Sequence, residues 1–113
     1  MKVIKIKEIE DCFDGSFMKE ALFDNVVTKN FIYYLALSGE LEYFPSFARP
    51  FYKVNVPGRY MVKGVEGNKT ARLITNRKNR EESQKNFLEY VTGYKKKIDY
   101  QIIIKRKSAW GDN

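Results

Sequence analysis

Three cations stand close together at Arg77, Lys78 and Arg80, just where a helix is expected to begin. Helix N-termini carry partial positive charge and outward-pointing N–H groups, so this cluster has the chemistry of a phosphate or carboxylate site. Its competitor is a solvated turn, with Glu81 and Glu82 supplying the acidic residues that a first helical turn prefers. Two further triplets follow, Lys95–Lys97 and Lys105–Lys107 (Lys105, Arg106, Lys107). The first sits at the expected C-terminal end of the same helix, where cations complement the dipole and need no ligand. The second has a geometric argument. A helix over 80–96 is about 25 Å long and a strand over 98–104 spans roughly 23 Å, so a strand running back would return Lys105, Arg106 and Lys107 to Arg77, Lys78 and Arg80. These six residues are the candidate anion or nucleic-acid site. The competing reading of the last triplet is charge that protects an edge strand.

The triplets belong to a larger asymmetry. Residues 1–56 carry 7 Lys and Arg against 8 Asp and Glu, and residues 57–113 carry 14 against 6, which together make the net charge of +7. Such an excess attracts anions whatever the fold.

A second candidate surface is aromatic. Tyr43, Phe44, Phe47, Phe51 and Tyr52 bracket Pro45 and Pro50, with Arg49 between them. Exposed, they would stack bases or hold a partner; buried, they would form an irregular corner of the core. Residues 58–65 have the flavour of a strand but lack the aromatic spacing of the ribonucleoprotein signature.

Catalysis finds little material. His is absent, which removes Ser-His and Cys-His nucleophile pairs and imidazole metal ligands. The single cysteine, Cys12, precludes an intramolecular disulfide and lies beside Asp11 and Asp14, which disfavour a thiolate. Glu8, Glu10, Asp11 and Asp14 do not have calcium-loop spacing, and Glu40 with Glu42 forms no supported dyad. Gly64, Gly67, Lys69 and Thr70 resemble a phosphate loop only superficially, because Asn68 separates glycine from lysine and a strand follows instead of a helix. Lys63 is the least surface-like lysine for a base or nucleophile. No cofactor and no metal are expected.

The elements that must position these groups read as follows. Residues 2–9 alternate as a strand, 11–16 form a turn, and 17–23 suit a second strand or a helical turn. Val27, Phe31, Tyr34 and Leu35 share one face of a helix over 25–38, capped by Asp24 or Thr28 and stopped by a left-handed Gly39. A short strand over 41–44 precedes an irregular connection over 45–50. Strands 51–56, 59–65 and 70–75 then meander around turns at Pro57-Gly58 and Gly67-Asn68. A helix over 80–96 starts with a capping-box-like Asn79 and Glu82, and 98–104 reads as a last strand.

The expectation is an α+β fold, a mainly antiparallel sheet with two helices on one face and a ferredoxin-like variant as the specific form. Residues 1–104 make one domain and 105–113 a basic polar C-terminal tail carrying Trp110. The sequence lacks a membrane-length apolar run and a secretory leader, so it reads as a cytoplasmic protein. The functional expectation is a small non-catalytic polyanion-binding module, with nucleic acid or an acidic protein as partner. The alternative is a regulatory or accessory domain that binds a partner protein or small anionic ligand, as a homo-oligomer.

Overall fold

The computed structural model describes residues 1–11 and 17–111. The expected turn over 11–16, with Cys12 and Asp14, therefore lies outside the described residues beyond Asp11.

Strands β1 (Val3–Asp11) and β2 (Phe17–Phe23) pair antiparallel, and α1 (Lys29–Ala36) follows. Strands β3 (Glu40–Phe44), β4 (Phe51–Val56), β5 (Tyr60–Val65) and β6 (Thr70–Thr75) form an antiparallel meander. Strand β6 then pairs with β2, which closes one six-stranded sheet in the order β1-β2-β6-β5-β4-β3. Helices α2 (Arg80–Thr92) and α3 (Tyr100–Gly111) complete the chain.

The meander follows from its turns. Pro57 presets the first corner after β4 and Gly58 takes φ 74° at the second, closed by Arg59 N–H donating to the Val56 carbonyl at 3.0 Å. Gly67, at φ 92°, turns β5 into β6. Thr28 caps α1, its hydroxyl accepting from Phe31 N–H. Helix α1 ends at Leu37 in right-handed geometry, so Gly39 is not the left-handed stop expected of it. Gly39 serves close approach instead: a Cβ there would lie 2.2 Å from the Asn55 carbonyl oxygen.

Helices α1 and α2 pack on one face of the sheet. That face buries Ala21, Phe23, Tyr52, Val54, Val62 and Leu73, with Phe31 and Phe87 pressed down from the helices. Phe23 meets Phe31 edge-on at 5.5 Å, and Tyr60 meets Phe87 at 5.5 Å. The many tyrosines bind the helices to each other. Tyr34 and Tyr90 stack at 4.4 Å; each hydroxyl donates to the other's backbone carbonyl, the Tyr90 bond measuring 2.6 Å.

Several expectations are corrected. Residues 98–104 are not a strand. Asp99 caps a helix there, its Oδ1 accepting from Gln101 and Ile102 N–H, and α3 packs principally on α1. That helix runs on to Gly111, through most of the segment expected as a polar tail. With a third helix in place of a closing strand, the β-α-β-β-α-β order of a ferredoxin-like variant does not arise, although the α+β class with an antiparallel sheet holds. Helix α2 also stops at Thr92, ahead of Lys95–Lys97. Asn79 stands at its N-cap, but the side chain donates to the Gly58 carbonyl at 2.9 Å and makes no cap bond.

Candidate functional site

Side chains alternate across a sheet, so the face opposite the helices is fixed by register. Its central row crosses all six strands as Lys7, Glu20, Arg72, Lys63, Lys53 and Glu42, each directly opposite the next. Four of the six are cations, and Arg72, Lys63 and Lys53 are consecutive. Residues directly opposite on neighbouring strands hold their Cβ atoms about 5 Å apart, and like charges so placed are destabilising. Among the described residues the ion pair in this row is Lys53 with Glu42, at 3.5 Å, while Lys63 and Arg72 have no ion-pair partner. An Arg72 Nη donates instead to Met18 Sδ at 3.8 Å.

The flanking rows differ. On one side run Met18, Ile74, Met61, Asn55 and Glu40. On the other, Leu22 opposes Thr70, and Val65, Phe51 and Phe44 continue to the β3 edge. Between the central row and this second flank lies a cleft of about 370 Å³, lined by Glu20, Phe51, Lys63, Val65, Thr70 and Arg72. Two cations against the one carboxylate of Glu20, beside apolar and hydroxyl groups, leave the cleft with a net positive lining that can hold an anion by charge and hydrogen bonds.

The aromatic candidates divide by the same alternation. Tyr43 pairs with Tyr52 and Phe44 with Phe51, so the two pairs point to opposite faces. Tyr52 is fully buried beneath Gly64, where burial holds its phenol well above the ordinary range. Tyr43 is half-buried on the helix side, its hydroxyl donating to Glu66; burial first, then that carboxylate, push its phenol up. Phe44, Phe47 and Phe51 stack on the open side. Their centroids are 5.1 Å (Phe44–Phe47) and 6.2 Å (Phe44–Phe51) apart, with rings 13° and 24° from parallel. Phe47 is 56% exposed and Phe44 40%.

Arg77 and Arg80 converge on the Phe17 ring, with guanidinium carbons 6.0 and 4.4 Å from its centroid, and Lys78 is exposed beside them. Phe17 opposes Thr75 on the helix-covered face, so this cluster and the cation row belong to opposite faces of the sheet. Lys105, Arg106 and Lys107 lie along α3, and the strand that was to carry them back beside α2 is absent; the length argument for one shared end loses its premise. Lys96 and Lys97 line a second cleft, of about 340 Å³, at the start of α3, together with Lys29 and Asp99. They stand beyond the end of α2, so the dipole of its last turn does not account for them.

Lys63 sits between two cations in an open cleft, not in the apolar pocket that would suit a catalytic lysine. Among the described residues no group of three His, Cys, Asp or Glu is placed to hold a metal ion, and no helix is long and apolar enough to cross a membrane. The cation row itself escapes a reading along the chain, because Lys53, Lys63 and Arg72 are isolated in sequence. The signal was present in the hairpin turns, whose registers bring the three into line. Comparison with protein-family models, curated proteins and solved structures finds no match, so geometry and charge carry the functional reading.

Proposed function

We propose that this chain is a non-catalytic polyanion-binding module that receives nucleic acid on the uncovered face of its sheet. The observation that carries this reading is the Lys53–Lys63–Arg72 row. Lys63 has a like charge directly opposite on each side, while Lys53 pairs with Glu42 and Arg72 stands opposite Glu20; an anionic ligand would relieve the repulsion at the centre of the row. The net charge of +7 supports the same class of ligand by long-range attraction. In this reading Lys53, Lys63 and Arg72 contact phosphates, and the protein works in the cytoplasm, where nucleic acid is at hand. Arg77, Lys78 and Arg80, with Lys105, Arg106 and Lys107, are proposed as secondary contacts away from the open face.

Salt dependence tests it. Three phosphate contacts on a single strand give a slope of about −2 in log K against log salt, a loss of roughly 20-fold between about 50 and 200 mM. The triple variant Lys53→Gln, Lys63→Gln, Arg72→Gln is expected to flatten that slope, and Arg77→Gln, Lys78→Gln, Arg80→Gln to flatten it less. A wild-type affinity that salt does not change, or a slope that the open-face variant leaves intact, would overturn the proposal.

A further inference from the structure

We infer that the ligand of the open face is a single strand whose unpaired bases stack on the Phe44–Phe47 platform; this rests on the polyanion reading above. A row of cations alone cannot distinguish a single strand from a duplex or from any other polyphosphate. The aromatic stack beside it can.

Phe51 lines the same cleft as Lys63 and Arg72, and it lies two residues along β4 from Lys53 on the same face, about 7 Å away. From Phe51 the stack continues outward through Phe44 to Phe47. The rings are nearly parallel, and the outermost is the most exposed. The loop that carries Phe47 is stiffened by Pro45 and Pro50, and Phe47 N–H donates to the Phe44 carbonyl at 3.4 Å, which ties its backbone to the end of β3. Arg49, exposed in the same loop, adds a cation two residues along the chain from Phe47. The arrangement therefore runs from phosphate-binding charge to a flat apolar surface within the reach of a nucleotide. In a duplex the base faces are already stacked on each other, so only an unpaired base can use such a platform. Charge complementarity with the adjacent row favours a nucleic-acid strand over a neutral apolar partner for these exposed rings.

The experiment compares three probes at one salt concentration: a mixed-sequence single-stranded oligonucleotide, its duplex, and linear inorganic polyphosphate. Wild-type protein is expected to bind the single strand more tightly than either of the others. Phe47→Ala, at an exposed position that leaves the core untouched, is expected to weaken single-strand binding about 5- to 150-fold, the effect of losing one base stack, with polyphosphate binding unchanged. Circular dichroism of the variant verifies its fold, and Phe47→Trp is expected to retain affinity and to show fluorescence quenching by the single strand. Equal binding of single strand and duplex, or an unchanged single-strand affinity in Phe47→Ala while polyphosphate still binds, would overturn the stacking inference and leave the polyanion reading standing. Failure to bind any of the three would instead overturn the polyanion reading. A Phe47→Ala variant that changes from dimer to monomer in light scattering, with oligonucleotide binding unaltered, would assign the platform to a second copy of the chain and likewise overturn the inference.

Discussion

Lys63 is the residue at which stability and function pull apart. Lys53 and Arg72 stand directly opposite it on the two neighbouring strands, and a cross-strand pair of this kind changes stability by about 0.2–1 kcal/mol, unfavourably for like charges. Removing the charge while keeping a polar side chain relieves two such contacts together. Lys63→Gln is therefore expected to raise the urea midpoint with no change in m-value and to weaken oligonucleotide binding in the same sample. Lys85→Gln, an exposed position on α2 outside the row, provides the comparison. A Lys63→Gln protein that is less stable than wild type and binds oligonucleotide equally well would remove Lys63 from the proposed site. Glycines show a different kind of constraint at this scale. Gly64, next to Lys63 on β5, leaves room for the Tyr52 hydroxyl, which would lie 2.9 Å from a Cβ.

At the scale of elements, one side chain ties α3 to α1. Asn30 Nδ2 donates to the Ile98 carbonyl at 2.8 Å and to the Tyr94 hydroxyl at 3.1 Å, and its Oδ1 accepts from Tyr100 N–H at 2.9 Å. One amide on α1 thus fixes both the approach to α3 and its first residue. Asn30→Ala removes these three bonds from partly solvated groups, at a cost of about 1 kcal/mol. Faster hydrogen exchange in α3, with β4–β6 amides still protected, is the expected result; uniform loss of protection would show that α3 and the sheet open together. The same segment explains what the sequence makes legible. Strands 51–56 and 70–75 could be read to the residue because alternation and turn chemistry agree there. Over 98–104 the alternation of Ile98, Tyr100, Ile102 and Ile104 and the β-branched residues favour a strand, yet only Tyr100 is buried, clamped against Tyr34 at 4.8 Å. Tertiary contact and the Asp99 cap outweigh β propensity. The candidate site divides similarly. The aromatics beside the two prolines stood out in the sequence, but that Phe44 and Phe47 are exposed while Tyr43 and Tyr52 turn to the helix side needed the strand pairing. The row through Lys7 and Glu20 needed the pairing of β2 with β6, which joins segments about 50 residues apart and leaves no local trace.

The molecule as a whole concentrates its ionisable burial in phenols, and this sets its response to pH. With no histidine, no side chain titrates with an ordinary pKa near 6.5, so stability is expected to be nearly level across neutrality. The alkaline side is different. Burial is the first cause that pushes up Tyr34, to about 12, with Tyr100 and Tyr60 adding to it; burial also raises Tyr43, Tyr52, Tyr60 and Tyr90. A phenol whose pKa is higher in the folded state than the ordinary 10.0 stabilises the fold fully below pH 10, and this contribution is lost as pH rises through the folded value. These tyrosines lie on α1, α2, β3, β4 and β5; Tyr34, Tyr52 and Tyr60 belong to one hydrophobic core and Tyr43 and Tyr90 pack against it, so their ionisation is coupled to global unfolding. Net charge does not account for a loss at the onset of this window, since the chain is then still close to its isoelectric point near 9.5, where self-repulsion is small. Phenolate absorbance and near-UV circular dichroism recorded together are expected to show a late rise in absorbance at about pH 12 that coincides with loss of the dichroism. Complete phenolate formation around pH 10 with the dichroism retained would show that these hydroxyls are open to solvent, and that the tyrosine contacts joining α1, α2 and the sheet do not hold the core closed.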